Sequence, residues 1–592
     1  MRFIFNPLVK AHKSVTGGIE EFTVVTFNVI SDCSFVTMHL YSDNEHIDRL
    51  FDKNGDLFSL ELSLEKGLYF YCFEADGKTF YADEKLNACL NSLSNWQLTV
   101  YPKDYATPDW IKGGVIYQIF PDRFCKSGDF SVGKGKVKRN DWGGLPTFRS
   151  QDGKVRNNEF FGGNFKGIES KLDYLKKLNV TAVYLNPVCK SYSSHRYDTG
   201  DYLEFDEVLG TKEDFKNLVL QAEKRGISFI FDGVFNHTGA GSRYFNKYGD
   251  YDSVGAYNDK SSPYYDWYDF KNYPDDYACW WDFKTLPSIK KDSRSFQNFI
   301  ADSGGVIREW VKLGIKGLRL DVVDELSDDF TQKIRLALKA ESADNLLIGE
   351  VWEDATNKIA YGVRRKYFTC GELDSVMNYP LRNAIFNFIL SGRCDELQST
   401  VLTQINNYPP CALHVLMNIL STHDSPRAIT VLGRRNVVTD KDLMADEKLD
   451  DFEYARGKTR LKCATVLQFC FYGVPSVYYG DEEGLEGDLD PYNRRCFNWD
   501  NIDEELLSHF IKLSDIRKKN KAFISGETKV VYAENGLFVF TRENKNQKIT
   551  IAVNAGIHSQ EIAFLKPVNE LYSNTKSAKF TLNNMEFIIA EN

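Results

Sequence analysis

Residues 227–237 read ISFIFDGVFNH: an apolar run of strand length that stops at Asp232 and continues to Asn236 and His237. GLRLD (317–321), LLIGEVW (346–352) and LMNILSTHD (416–424) repeat that plan, apolar first and then acidic. Four further runs look like strands: GVIYQIFP (114–121), VTAVYLNPV (180–188), SVMNY (375–379) and PSVYYGDE (475–482). Amphipathic helices lie between them. In one, Thr211 with Asp214 forms a start signal, Phe215, Leu218, Val219 and Ala222 repeat at helical spacing, and Gly226 ends it. Strands alternating with helices in this number predict a (β/α)8 TIM barrel over residues 106–515. The stretch 239–290 is an insertion between strand three and its helix. It is rich in aromatic residues, among them Tyr264, Tyr265, Trp267, Trp280 and Trp281, and excursions of that length are commonly functional.

The barrel has β-rich flanks. In residues 1–105, FTVVTFNVI (22–30), SFVTMHLYS (34–42), LFSLELSL (57–64) and LYFYCFEA (68–75) predict an N-terminal β-sandwich resembling a carbohydrate-binding module. Short strands return over 520–592 and predict a C-terminal β-sandwich. The 592 residues include 73 basic and 83 acidic ones, for a net charge of −10. That balance, with no long Lys/Arg run, argues against nucleic acid or an anionic membrane surface as partner. No apolar run is long enough to span a bilayer. The N-terminus, MRFIFNPLVKAHKSV, shows no signal-peptide pattern, and the 12 Cys include no Cys-x-x-Cys pair. Both features predict a cytoplasmic protein with free thiols.

A barrel of this kind reacts at the C-terminal ends of its strands. Those ends carry Asp232 and His237 (strand three), Arg319 and Asp321 (four), Glu350 (five), and His423 and Asp424 (seven). Two carboxylates on one rim suit glycoside hydrolysis with retention. Asp321 is the candidate nucleophile, because Arg319, two residues earlier, leaves the strand on the same face and is expected to keep it ionised. Glu350, flanked by Val351 and Trp352, is the candidate acid/base. His237 and His423 are expected to donate to sugar hydroxyls, and Asp424 to accept from two of them.

DGVFNH (232–237), GLRLDVVDE (317–325), GEVW (349–352) and STHD (421–424) resemble the four signature regions of glycoside hydrolase family 13, the α-amylase family, in order and separation. The resemblance extends to YQIFPDRF (117–124), FFGGNFKGI (160–168), SSHRYDTGDY (193–202), DSVMNYP (374–380) and GVPSVYYGDE (473–482). With the N-terminal β-domain, it is nearest the neopullulanase, cyclomaltodextrinase and maltogenic amylase group. The resemblance implies catalysis by Asp321, Glu350 and Asp424. It places Arg319, His237 and His423 around the reacting sugar, Tyr197 stacked upon it, and Trp352 on the leaving-group side. Asp490 and Arg494 would hold the next sugar. The implied substrates are maltodextrins, cyclodextrins, pullulan or starch, cut at α-1,4 bonds, with α-1,6 bonds as a second target. A homodimer through the N-terminal domain is also implied.

Two departures stand out: Leu286-Pro287-Ser288-Ile289 replaces Met-Pro-Lys-Leu-Asn, and Asp324 replaces Asn. No cofactor is required by this chemistry. A calcium loop built on Ser127, Asp129, Gly162 and Asn164 offers too few ligands, so no metal is expected. Two alternatives use the same residues: a glucanotransferase sharing the glycosyl-enzyme intermediate, and a glycan-binding protein without catalysis.

Overall fold

A computed structural model describes every residue of the chain except 151, 437 and 446. Eight strands hydrogen-bond in parallel: Ile116–Ile119, Ala182–Leu185, Ser228–Gly233, Ile315–Leu320, Leu346–Gly349, Ser375–Val376, Met417–Ile419 and Val474–Tyr478. A parallel bridge from Met377 to Met417 joins the sixth to the seventh and closes the ring. The (β/α)8 barrel expected from the sequence is therefore present, on all eight runs.

The barrel strands read as continuous apolar runs because both of their faces are buried. Ile116, Ala182, Tyr184, Ile230, Leu346, Ile348, Met377, Met417 and Val474 fill the inside as one cluster. Their neighbours Tyr117, Val183, Phe231, Leu318 and Leu347 face outward, where the helices cover them. The period of two then decides where the polar residues go. Arg319 and Asp321 continue the inner face of strand four, Asp232 continues Ile230, and Glu350 continues Ile348. The helix at Lys212–Glu223 shows why such helices start where they do. The Thr211 side chain accepts from the Asp214 N–H while the Asp214 carboxylate accepts from the Thr211 N–H, a capping box.

The N-terminal strands, Phe3–Ile4 to Trp96–Tyr101, form sheets of four and seven strands. Phe27, Val29 and Phe58 from one pack on Met38, Leu40, Tyr71, Phe73 and Leu98 from the other. This sandwich is pinned to the barrel by Gln97, whose amide donates to Thr356 Oγ1 at 2.7 Å, and by Arg364, which pairs with Asp43 at 2.7 Å. At the other end, six strands between Glu527 and Glu591 make one antiparallel sheet. Phe538, Phe540, Ile551 and Ile589 face the barrel. Leu537, Val539, Ala552 and Ile588 face the opposite way and pack with Val568 and Leu582, so the sheet curls to cover its own second face.

Strand eight is tied back to strand one by a buried acid. Glu482 accepts from the hydroxyls of Tyr117 and Tyr174 and from the Gly480 N–H. Burial pushes Glu482 up to about 7, and burial together with Glu482 pushes Glu483 up to about 8. The folded chain therefore holds protons that the unfolded chain, with glutamates near 4.5, gives up earlier. Stability should fall as pH rises from about 4.5 through about 7 to 8. Glu482→Gln should flatten that fall in a thermal-melting series across the window. An unchanged slope would contradict the assignment.

Candidate active site

Arg319 is fully buried at the top of the barrel and reaches three acids. Its Nη1 lies 2.8 Å from Asp232 Oδ1 and 2.8 Å from Asp321 Oδ1, and its Nη2 lies 2.8 Å from Glu350 Oε2. Backbone bonds carry the sheet beyond its strands to fix these acids. The Asp321 N–H donates to Gly233 O and the Glu350 N–H to Leu320 O, at 3.1 and 3.0 Å. The next residue is strained. Val322, β-branched, sits at φ 37°, and its N–H donates to Glu350 Oε2 at 2.8 Å. Trp352 Nε1 reaches Glu350 Oε1 at 3.2 Å. Glu350 is thus a carboxyl held by two hydrogen-bond donors and one ion pair, not the apolar-flanked acid its sequence neighbours suggest.

Arg319, expected to keep Asp321 ionised, works there against burial. Burial pushes the Asp321 carboxyl well above its usual range. Arg319 pulls the other way, but its charge is divided among three carboxylates, and those of Glu350 and Asp232 add to the upward push. The second Asp321 oxygen accepts from Asn236 Nδ2 at 3.2 Å.

The opposite wall is a hydrogen-bonded chain. Gln118 donates to His423 Nδ1 at 2.9 Å, which leaves the proton of the neutral ring on Nε2. That nitrogen faces Asp424 Oδ2 at 2.9 Å and the Tyr197 hydroxyl. Tyr197 donates to Asp232 at 2.8 Å, accepts from Asn186 at 3.0 Å, and stacks on the His423 ring at 5.2 Å. Burial works against the Asp424 charge, yet His423 and Arg494 hold its carboxyl well below the usual range. Arg494 reaches Asp424 Oδ1 at 3.4 Å and the His423 carbonyl at 2.9 Å.

Three residues expected to contact sugar also have partners within the protein. His237 donates from Nε2 to the Tyr197 carbonyl at 3.1 Å, meets Asn236 through Nδ1, and stacks on Trp280. Burial lowers it to about 4. His423 is used on both nitrogens, as above. Asp490 pairs with Lys441 at 2.7 Å, and the nearby Arg494 helps to hold its carboxyl below the usual range. Trp352, by contrast, is about half exposed: one face lies on Tyr379 at 3.9 Å and the other is open. In the insertion, Trp267 is buried while Trp281 is 74% exposed. A cavity of about 370 Å3 opens beside Arg494 and His195, bordered by Phe148, Arg156 and Tyr192.

Asn164 turns its amide N–H onto the Ser127 and Gly162 carbonyls, and Lys138 neutralises Asp129 at 2.6 Å. Sequence reasoning placed Asp232 on the rim without a role and missed Gln118, Asn186, Asn236 and Tyr184 as members of the site. Asp232 and Asn236 stood inside a quoted motif. The others sit in or just after strands that look like ordinary core.

A lysine ammonium is a point charge and does not span three carboxylates. Arg319→Lys should lower kcat on a maltodextrin by about 10²-fold or more, with far-ultraviolet circular dichroism unchanged. Activity within tenfold of the parent would show that the shared guanidinium is dispensable.

Residues 118–520 match the alpha amylase catalytic domain family, and 526–578 match the alpha-amylase C-terminal domain. An amylopullulanase from Thermoanaerobacterium saccharolyticum is 35% identical over 554 residues, covering 84% of this chain and 42% of that one. The chain thus spans less than half the length of the amylopullulanases it matches. A cyclomaltodextrinase from Thermoanaerobacter pseudethanolicus is 32% identical over 543 residues, covering 88% of this chain and 84% of that one. Among solved structures, the cyclic α-maltosyl-(1→6)-maltose hydrolase of Arthrobacter globiformis superposes with a TM-score of 0.68 at 26% identity, over 82% of this chain and 99% of that one. The catalytic-domain match alone covers more than half of the residues, and the carboxylate rim sits where the barrel's chemistry belongs: the chain is a member of the α-amylase family.

Proposed function

We propose that the protein hydrolyses α-1,4-glucosidic bonds of maltodextrins, cyclodextrins, pullulan or starch with retention of the anomer, and α-1,6 bonds as a second target. The observation that carries this reading is the single guanidinium of Arg319 holding Asp321 and Glu350 together on one rim. The names of the relatives, among them cyclomaltodextrinase and amylopullulanase, support the substrate class.

The reaction needs Asp321 as the carboxylate and Glu350 as the acid. With the proton on Glu350, Asp321 attacks the anomeric carbon. The glycosidic oxygen leaves with that proton, and a glycosyl ester forms on Asp321. Glu350, now a carboxylate, takes a proton from water. The water oxygen bonds to the anomeric carbon and Asp321 departs. Arg319 draws off negative charge from both acids as it moves between them. Asp424, kept ionised by His423 and Arg494, accepts from two hydroxyls of the reacting sugar. The Tyr197 ring supplies a stacking face, and the open face of Trp352 lies beside the leaving group. Sugars further along occupy the cavity beside Arg494.

A homodimer through the N-terminal sandwich is part of this reading. The exposed Phe22, Val24, Leu50, Leu90 and Leu93 on that domain support it. A cytoplasmic setting is supported by twelve cysteines that are all free.

Asp321→Asn and Glu350→Gln should each lose at least about 10²–10⁴-fold in turnover of maltotriose while keeping the parent melting temperature. Proton NMR of the parent's first product should show the α-anomer. More than a tenth of the activity in either variant, or initial β-anomer, would overturn the double displacement.

A further inference from the structure

The N-terminal sandwich carries a cluster that the glucan chemistry does not use. Residues 39–48, HLYSDNEHID, form a hairpin of two antiparallel strands, Thr37–Tyr41 and His46–Leu50. Its register sets His39 directly across from Asp48, and Tyr41 across from His46. Residues two apart on a strand share a face, so His39, Tyr41, His46 and Asp48 all project from one side. The turn is fixed by the Ser42 side chain, which accepts from the Glu45 N–H at 3.1 Å.

Two imidazoles converge on one carboxylate oxygen. His39 Nδ1 lies 2.7 Å from Asp48 Oδ1 and His46 Nε2 lies 2.8 Å from it. One donor atom from each of the three residues lies within 4.8 Å of the other two. Donors around a zinc ion, with bonds of about 2.0–2.2 Å, stand roughly 3–3.5 Å apart. The shift needed is small, and His46 and Asp48 are each half exposed. A second observation points the same way. The other nitrogen of His39, Nε2, meets Glu74 Oε2 at 3.2 Å. A carboxylate on the far nitrogen is how metal-binding histidines are oriented and made more basic. His46 is braced as well, with its ring stacked on Tyr41 at 4.5 Å.

We propose that His39, His46 and Asp48 form a surface site for a divalent transition-metal ion of the zinc class, with Glu74 as the orienting partner of His39. Two imidazoles and one carboxylate suit zinc and its neighbours rather than calcium or magnesium. Water would fill the remaining position. The ion would clip the edge strand His46–Leu50, which among the described residues pairs only with Thr37–Tyr41, to the rest of the sheet. It would also steady the turn whose Asp43 holds Arg364 of the barrel.

Equilibrium dialysis of the full-length, tag-free protein against zinc chloride at pH 7.5 tests this. One zinc per chain at micromolar free zinc is expected. His46→Ala should weaken binding at least tenfold, with circular dichroism unchanged, whereas alanine at the exposed His558 should leave it as in the parent. Glu74→Gln should weaken it about 10-fold or more. No bound zinc in the parent, or equal binding by the parent and His46→Ala, would overturn the site. So would loss at His558 as large as that at His46, which marks adventitious surface binding.

Discussion

A guanidinium buried in a barrel's mouth is tolerable only if it is paired. Left alone, its desolvation would cost several kcal/mol, about the margin by which a domain is stable at all. Arg319 meets three carboxylates at 2.8 Å, and each of those acids is tolerable for the same reason. The dependence runs both ways. Without Arg319, Asp232, Asp321 and Glu350 would repel one another across the tops of adjacent strands. With it, three negative groups and one positive group leave an excess of negative charge. That excess, with burial, pushes the Asp321 carboxyl upward.

The surrounding structure serves this arrangement. The inner face of the barrel is largely apolar below the rim, so the charges sit above a packed floor. The strained Val322 aims a backbone donor at Glu350, a use of left-handed backbone that a β-branched residue accepts only where function over-determines it. Gln118, Asn186 and Tyr197 form a second circuit that sets the His423 tautomer and with it the charge on Asp424. Carboxylates of one residue type are thereby given different jobs by their partners.

Much of this is legible in the sequence, for physical reasons. All eight barrel runs could be read because burial on both faces leaves an apolar signature. Arg319 and Asp321 could be placed on one face because strand geometry has a period of two. The Thr211 cap could be read because it is local. What could not be read depends on closure. Asp232 touches Arg319 only because strands three and four are in register. Gln118 and Asn186 are polar residues at the inner face of strands whose neighbours are all core. Lys441 meets Asp490 across 49 residues of chain. His39 and Asp48 are joined by a hairpin register that no motif announces.

The account stands on Asp321 being the residue that bonds to the sugar. A mechanism-based label tests this most directly: incubation with a 5-fluoro-α-maltosyl fluoride, followed by proteolysis and mass mapping of the adduct. The account predicts one label per chain, on the peptide bearing Asp321 and on that side chain. A label on Glu350 or Asp424, or none under conditions where the compound inhibits turnover, would contradict it.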